Sequence, residues 1–435
     1  MTKPTSSILQ VDTLILGGGL TGLSTAYHLE KRKHTDYLVI EKNATLGGWC
    51  TSETHQGFTF DCSGHLLHLH HPYTLRFVRT LLPHHLIRHQ RKAFICIAGK
   101  RIPFPFQANL WALPAALRQS CVQGLAKTAP KKQAAPKTFE QWCLSQFGTG
   151  IYQHFFKPYN EKLWQTPLSH LTCDWCGPFV PAPTYQQITA SIKQASTKKW
   201  GYNSHFYYPK RGGCGALAQA LADHVPNVWL NAHVQQINWT KKQVLVNGKK
   251  IHYNKLVNTL PLPQVIALCK QVSPTIQQAA ASLHATTVHV LNVAINRKLP
   301  PFHWIYFPEK DVPFYRVGMQ SAFSPHNAPP KTTSLYIETA DSITDFAQTK
   351  KAIFKALVQK GIIRASDKIL FSYWRTLYPA YAIYDTQRAN MTPKLLAWLQ
   401  RKHIYSAGRY GLWEYSFMER NILQGKELAD TLLKL

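Results

Sequence analysis

A chain of 435 residues is too long for one small core, and two or three domains are expected. A hydrophobic content of 45% with 12% aromatics excludes a disordered chain, and the absence of any apolar run of spanning length excludes a helical membrane protein. The net charge of +29 asks for an anionic partner: anionic substrates, nucleic acid and anionic membrane surfaces all qualify, and a general basic bias of composition is the alternative.

The first stretch that carries chemistry is VDTLILGGGLTG, residues 11–22. Its apolar run 13–16 reads as a buried parallel strand, and residues 20–31 read as a helix opened by Leu20 and Thr21. Gly17, Gly19 and Gly22 fall on G-x-G-x-x-G. Gly17 suits the tight turn, Gly19 a close approach to a pyrophosphate, and Gly22 close packing of helix on strand. The helix N-terminus offers free N–H groups and a partial positive charge. Residues 37–40 read as the second strand, ending at Glu41 and Lys42. Glu41 lies 19 residues past Gly22, where an acid accepts from a ribose 2′-OH. Residues 1–10 hold no signal-peptide core, and the first strand starts too early for a transit sequence, so a cytoplasmic location is expected. Nine scattered cysteines fit reduced thiols.

Gly47 and Gly48 follow, able to let backbone pass close to a cofactor. Residues 57–65 read as a strand running into a turn that presents Gly64 and His65. His68, His70, His71, His84, His85 and His89 come next. A metal site is the sharp alternative for this cluster, but matching acids and cysteines are sparse. Packed or solvated histidines are expected for all but His65, and no metal. Basic clusters at 88–92 and at Lys127, Lys131, Lys132 and Lys137 come without a nucleic-acid-binding motif. Residues 101–107, ending at Gln107, are extended because each proline biases its predecessor away from helix. Residues 110–127 look helical, and 126–137 is a Lys/Ala/Pro loop. Residues 139–164 carry apolar and aromatic side chains at helical spacing. Their end, Tyr159, Asn160 and Trp164, mixes rings with polar groups and suits either a pocket wall or a packed helix end.

Cys173 and Cys176 form a C-x-x-C without a second pair, and an inert role is expected. A helix is expected over 216–224, strands over 228–237 (including Val234) and 243–246, a hairpin turn at Asn247-Gly248, and a short buried strand over 255–261. Residues 288–295, 305–307 (with Tyr306), 335–338 and 369–374 alternate as in an antiparallel sheet, interrupted by a helix over 349–359. Residues 404–409 form a strand meeting Gly408-Arg409, followed by a helix over 416–433.

In this order the pieces resemble the flavin-dependent amine-oxidase-like superfamily, and within it the UDP-galactopyranose mutases. The resemblance rests on the glycine loop with Glu41, Gly47-Gly48, residues 61–65, PFPFQ at 103–107, PYNEKLW at 158–164, residues 208–215, HWIYFPE at 303–309, PFYR at 313–316, Tyr378-Pro379 and GRYGLWEY at 408–415. It implies an α/β fold: a discontinuous Rossmann-type FAD domain, a helical domain and an antiparallel-sheet substrate domain. The implied segments are 1–90, 201–270 and 396–435 for FAD, 91–200 helical, and 271–395 for the sheet.

It implies FAD, used reduced, with NAD(P)H as possible reductant. Reduced flavin N5 attacks the anomeric carbon of a UDP-sugar, and the sugar recloses with the other ring size. Gly17, Gly19, Leu20, Thr21, Gly22, Glu41, Lys42, Gly47, Gly48, Gly64, His65, Val234, Gly408 and Arg409 would hold the cofactor, with Arg409 on its pyrophosphate. His65, Arg316, Tyr378 and Tyr415 would serve catalysis, the last three on the substrate pyrophosphate. Gln107, Tyr159, Asn160, Trp164, Trp304 and Tyr306 would line the substrate. The implied partner is a small anionic nucleotide sugar, not nucleic acid; peripheral membrane docking of the basic surface is a further expectation.

The chain departs from that family in three places. Phe179 stands where the other pyrophosphate arginine falls, the stretch after Tyr415 is shortened, and Phe104 and His68 replace a tyrosine and a phenylalanine. A lost charged contact is worth roughly 1.5–3 kcal/mol. The alternative is therefore an FAD oxidoreductase of amine-oxidase or desaturase type with a less anionic substrate; a flavoprotein docked on a membrane or acidic partner is the third reading.

Overall fold

The computed structural model describes residues 9–126, 135–195 and 198–435. Residues 1–8, Lys127, Lys131, Lys132 and most of the loop expected over 126–137 lie outside them. Two seven-stranded sheets organise the rest. The first runs Val234–Asn238, Gln243–Val246, Lys249–Asn258, Leu9–Leu16, Tyr37–Ile40, Val228–Trp229, with Ile404–Ser406 also on Lys249–Asn258. Its centre is parallel: Leu14 pairs with both Leu256 and Leu38. Three separated chain segments therefore build one nucleotide-type sheet, and the stretch 13–16 of its strand Leu9–Leu16 is buried on both faces, as expected at the centre of a parallel sheet.

The second sheet runs Ile369–Leu377, Val288–Ile295, Thr333–Thr339, Arg316–Met319, Trp304–Tyr306, Ala93–Ile97, Lys100–Pro103. Its pairs are antiparallel except that between Trp304–Tyr306 and Ala93–Ile97. The expected alternation of buried and exposed residues is absent at its centre: all eight residues of Val288–Ile295 and all seven of Thr333–Thr339 are buried. The reason is cover on both faces. Val290 and Tyr336 pack toward the helical part and the cavity, while Leu291, Val293 and Ile337 pack under the helix Phe346–Gln359. Ala93–Pro103, expected in the helical part, belongs to this sheet instead.

Other differences have local causes. The helix expected over 110–127 starts at Ala115, after the 3-10 turns Phe106–Ala108 and Leu110–Ala112. Pro114 holds Leu113 extended at ψ 150°. The helix expected over 139–164 is three pieces, Phe139–Ile151, a π-turn Tyr152–Phe156 and Lys157–Trp164. Gly148 has φ +75°, and a Cβ there would sit 2.6 Å from the Gly124 carbonyl, so close helix packing sets the kink. The strand expected over 228–237 splits because the chain turns at Asn231, φ +51°. The strand expected over 255–261 extends back to Lys249, and the last helix is Met418–Leu432. No helix among the described residues is long and apolar enough to cross a membrane.

Candidate active site

One cavity of about 910 Å³ runs between the two sheets, at the upper end of the roughly 300–1,000 Å³ typical of ligand pockets. Its first half is backbone. The strand Leu9–Leu16 stops at Gly17, whose φ of +103° excludes a side chain without strain. Gly17 N–H donates to Ile40 O at 2.8 Å. The helix Leu20–Lys31 opens on Gly19 with no side-chain cap and no acid in its first turn, so its leading N–H groups face the cavity unclaimed by a side chain. A Cβ on Gly19 would meet nothing within 4 Å, and one on Gly22 would lie 2.0 Å from Gly17 O. The first glycine leaves room for a ligand; the second lets helix and strand touch.

Glu41 is buried beside this loop. Its Oε2 accepts the Gly18 N–H at 2.9 Å, and Oε1 accepts Asn43 N–H at 2.9 Å and Nδ2 at 2.7 Å. A carboxylate has capacity left for a ribose hydroxyl. Gly47 N–H donates to Gly18 O at 2.8 Å. Gly48 and Gly408 approach Gly19 and Thr21 so closely that Cβ atoms would lie 3.4 Å and 2.6 Å from them. Lys42 and Val234 line the same end. These contacts form a cradle of backbone and one acid that fits the ADP part of FAD.

The middle of the cavity holds a charged pair that the alternating pattern of its strand did not disclose. Arg316 donates to Glu338 through Nε at 2.5 Å and Nη2 at 2.8 Å. The Glu338 side chain is fully buried and also accepts the Ser63 hydroxyl. Burial, the largest single influence, would raise this carboxyl; the Arg316 charge and the hydrogen bonds from Arg316 and Ser63 together hold it below its ordinary value. Arg316, expected as a pyrophosphate clamp, is thus already paired. Gly64 lets Tyr336 pass: a Cβ there would fall 2.2 Å from the tyrosine hydroxyl. His65 lines the cavity with its Nδ1 buried and unpartnered. Burial, reinforced by Arg409, lowers it to about 4, so it is neutral at pH 7.

The far half is aromatic. Tyr159 stacks on Phe155 at 5.6 Å and meets Tyr306 edge-on at 5.1 Å. Trp164 and Trp304 line the wall with unpartnered Nε1 groups. Gln107 donates to Pro181 O at 2.5 Å and leaves Oε1 unpartnered. Asn160 turns to Phe156 O at 2.8 Å. Phe179 lies 4.3 Å from the Tyr415 ring and 5.6 Å from Tyr202. Arg409 donates to Ser416 O at 2.5 Å and Ala380 O at 3.0 Å, with the Tyr381 and Tyr415 rings each 5.1 Å away. Its main chain touches the cradle at Gly408 while its guanidinium reaches the aromatic half. Tyr378, 63% exposed, stands at the rim. All the candidate residues line this cavity except Gly22, which acts behind it. Glu338, Tyr202, Tyr381 and Phe417 line it too and were not expected. The signal available for Glu338 was a lone carboxylate inside a buried strand.

Elsewhere, no group of three or more His, Cys, Asp or Glu among the described residues is placed to hold a metal. Burial pushes both Cys173 and Cys176 thiols up, which makes them poor nucleophiles.

Residues 20–433 match the family of flavin containing amine oxidoreductases. The chain belongs to that family. It is a flavoenzyme with the FAD-dependent amine-oxidase-like fold. A crystal structure of reduced UDP-galactopyranose mutase superposes with a TM-score of 0.93 at 26% identity, covering 98% of this chain and 96% of that one. Putrescine oxidase bound to putrescine gives 0.68 at 15% identity over 98% and 100%. The fatty acid isomerase of P. acnes that produces CLA gives 0.66 at 12% over 97% and 98%. These last two likenesses concern the fold alone. An uncharacterized protein in the nifH2 3′ region of Methanothermococcus thermolithotrophicus is 44% identical over 54 residues, 12% of this chain; the match spans about half, 51%, of that relative.

Three buried histidines set an acid limit on this fold. Burial lowers His65 and His68 to about 4 and His303 to about 3, against about 6.5 in the unfolded chain. The unfolded state then binds more protons between those values, so stability is full above pH 6.5 and lost as pH falls. The slope approaches about 1.4 kcal/mol per pH unit for each histidine. Urea unfolding midpoints should therefore drop from pH 7 to pH 5; equal midpoints would show that the folded histidines accept protons.

Proposed function

We propose that this flavoenzyme is an intramolecular transferase of the UDP-galactopyranose mutase type, interconverting the pyranose and furanose forms of a sugar with the flavin used in its reduced form. What carries the reading is the likeness at a TM-score of 0.93 over nearly both whole chains, where the oxidase likenesses reach 0.76 and 0.68. When bound, reduced FAD supplies a nucleophilic nitrogen for the anomeric carbon while the leaving group departs. NAD(P)H is the proposed reductant. Gly17, Gly19, Gly22 and Glu41 would hold the ADP part, and the Gly47-Gly48 and Gly408 backbones would close over it. Arg409, Tyr415 and the rim residue Tyr378 would retain the departing anion until it returns. Neutral His65 would face the ring system without adding charge. Gln107, Trp164 and Trp304 offer unpartnered polar atoms to sugar or base hydroxyls and carbonyls, and the rings around them exclude water.

A second reading, an FAD oxidoreductase acting on a less anionic substrate, is favoured by Phe179 and by the Arg316–Glu338 pair, which lower the positive charge of the aromatic half. Incubating dithionite-reduced protein with UDP-galactopyranose separates the two. Mutase chemistry gives a furanose product with no net flavin oxidation per turnover. No furanose at full flavin loading, together with reduction of the oxidised flavin by an amine or apolar substrate, favours the oxidoreductase.

A further inference from the structure

The charges lining the aromatic half can be counted. Arg316 contributes one positive charge and Glu338 removes it, at 2.5 and 2.8 Å. His65 and His68 are neutral at pH 7. Arg409 is then the one cation without a carboxylate partner among the described residues lining this half, since Lys42 lies at the Glu41 end. Arg91 is held behind the wall by Asn203 and lies 4.6 Å from the Phe104 ring. A pyrophosphate diester brings two negative charges to a site that offers one.

Beyond the Tyr415 ring that Arg409 faces, the wall turns apolar. Phe179 packs at 4.3 Å from Tyr415 and 6.1 Å from Phe417, and Phe417 stacks with Tyr202 at 5.7 Å. A second phosphate placed against Phe179 would lose its water and find only the neutral hydroxyls of Tyr202 and Tyr415 in place of a guanidinium, which is costly. A hydrocarbon placed there would be favoured. Beside this cluster His68, 9% exposed, lines the cavity with its Nδ1 buried and unpartnered, 5.0 Å ring to ring from Tyr202. It offers a neutral hydrogen bond where a charged one is missing.

We propose that the substrate is a monoanionic glycosyl phosphodiester bearing an apolar substituent on its phosphate, and that Phe179 and His68 are specificity-determining residues for it. Arg409 meets the single charge, the Phe179 cluster meets the apolar substituent, and His68 hydrogen-bonds a neutral oxygen. This deepens the mutase-type reading by naming the leaving group, and it rests on that reading for the sugar.

The test is flavin-fluorescence titration of the reduced, FAD-loaded protein with three probes: octyl galactopyranosyl phosphate, UDP-galactose and the neutral octyl galactoside. The wild type should bind the octyl phosphodiester at least tenfold more tightly than either of the others. Phe179→Arg, which places a second guanidinium on the Tyr415 ring, should reverse the order of the two anions. His68→Phe should weaken the diester about tenfold with flavin content unchanged. Tighter binding of UDP-galactose by the wild type, equal binding of diester and neutral galactoside, no reversal in Phe179→Arg, or binding of no probe would each overturn the proposal. Binding is read without turnover, so a diester that binds in the expected order but is never isomerised defeats the mutase reading and leaves this assignment standing.

Discussion

Gly19→Val should give a folded protein that retains no FAD. The backbone at Gly19 has φ −75° and ψ 178°, which any residue adopts, and its Cβ direction is open for 4 Å. The chain alone therefore has no reason to resist a valine. The ligand does: the side chain would project from the uncapped helix start into the path of the pyrophosphate. Displacing that group from two charge-assisted N–H contacts, each worth about 1.5–3 kcal/mol, weakens FAD by roughly a hundredfold or more. Gly22→Val is the contrasting variant. Its Cβ would overlap Gly17 O at 2.0 Å, so it should damage the fold itself. Flavin absorbance of the purified variants, paired with urea unfolding of the apo forms, separates the two effects. A Gly19→Val protein with a full flavin spectrum would remove this loop from the cofactor site.

The nucleotide half was legible in the sequence because its signal is local. A turn at Gly17, the helix Leu20–Lys31 and an acid at Glu41 need only the chain between them; that helix and the strand Tyr37–Ile40 agree with the reading, while the first strand starts at Leu9, ahead of its apolar run. Arg409 was legible as a residue but not as a geometry. Its main chain and guanidinium serve different halves of the cavity, which follows from the packing of Tyr381 and Tyr415 around it rather than from the Gly-Arg pair. The Arg316–Glu338 pair joins adjacent strands in register, and strand pairing is not written in spacing along one strand. Helix breaks at Pro114 and Gly148 were missed because a long apolar periodicity outweighed single residues, Pro114 acting on its own predecessor and Gly148 through a neighbouring helix.

The buried pair gives the largest expected effect on stability. Glu338→Ala removes a carboxylate whose side chain is 0% exposed and leaves the Arg316 guanidinium, 18% exposed, with no counter-charge. It also strands the Ser63 hydroxyl. Removing one partner of a buried pair costs about 3–5 kcal/mol, most of it the penalty of the charge left behind. The double variant Arg316→Leu, Glu338→Leu should cost less than Glu338→Ala alone, because no unpaired charge remains; that non-additivity distinguishes an electrostatic pair from mere packing. Glu338→Gln keeps the shape and releases Arg316 from its counter-charge. It should therefore raise the affinity of the reduced protein for UDP-galactose by about tenfold while lowering stability less than Glu338→Ala. Urea unfolding of the three variants and flavin-fluorescence titration of Glu338→Gln measure both effects. A Glu338→Gln protein as indifferent to UDP-galactose as the wild type would show that the Arg316 charge is not what limits anion binding here, and the limit would then lie in the Phe179 wall.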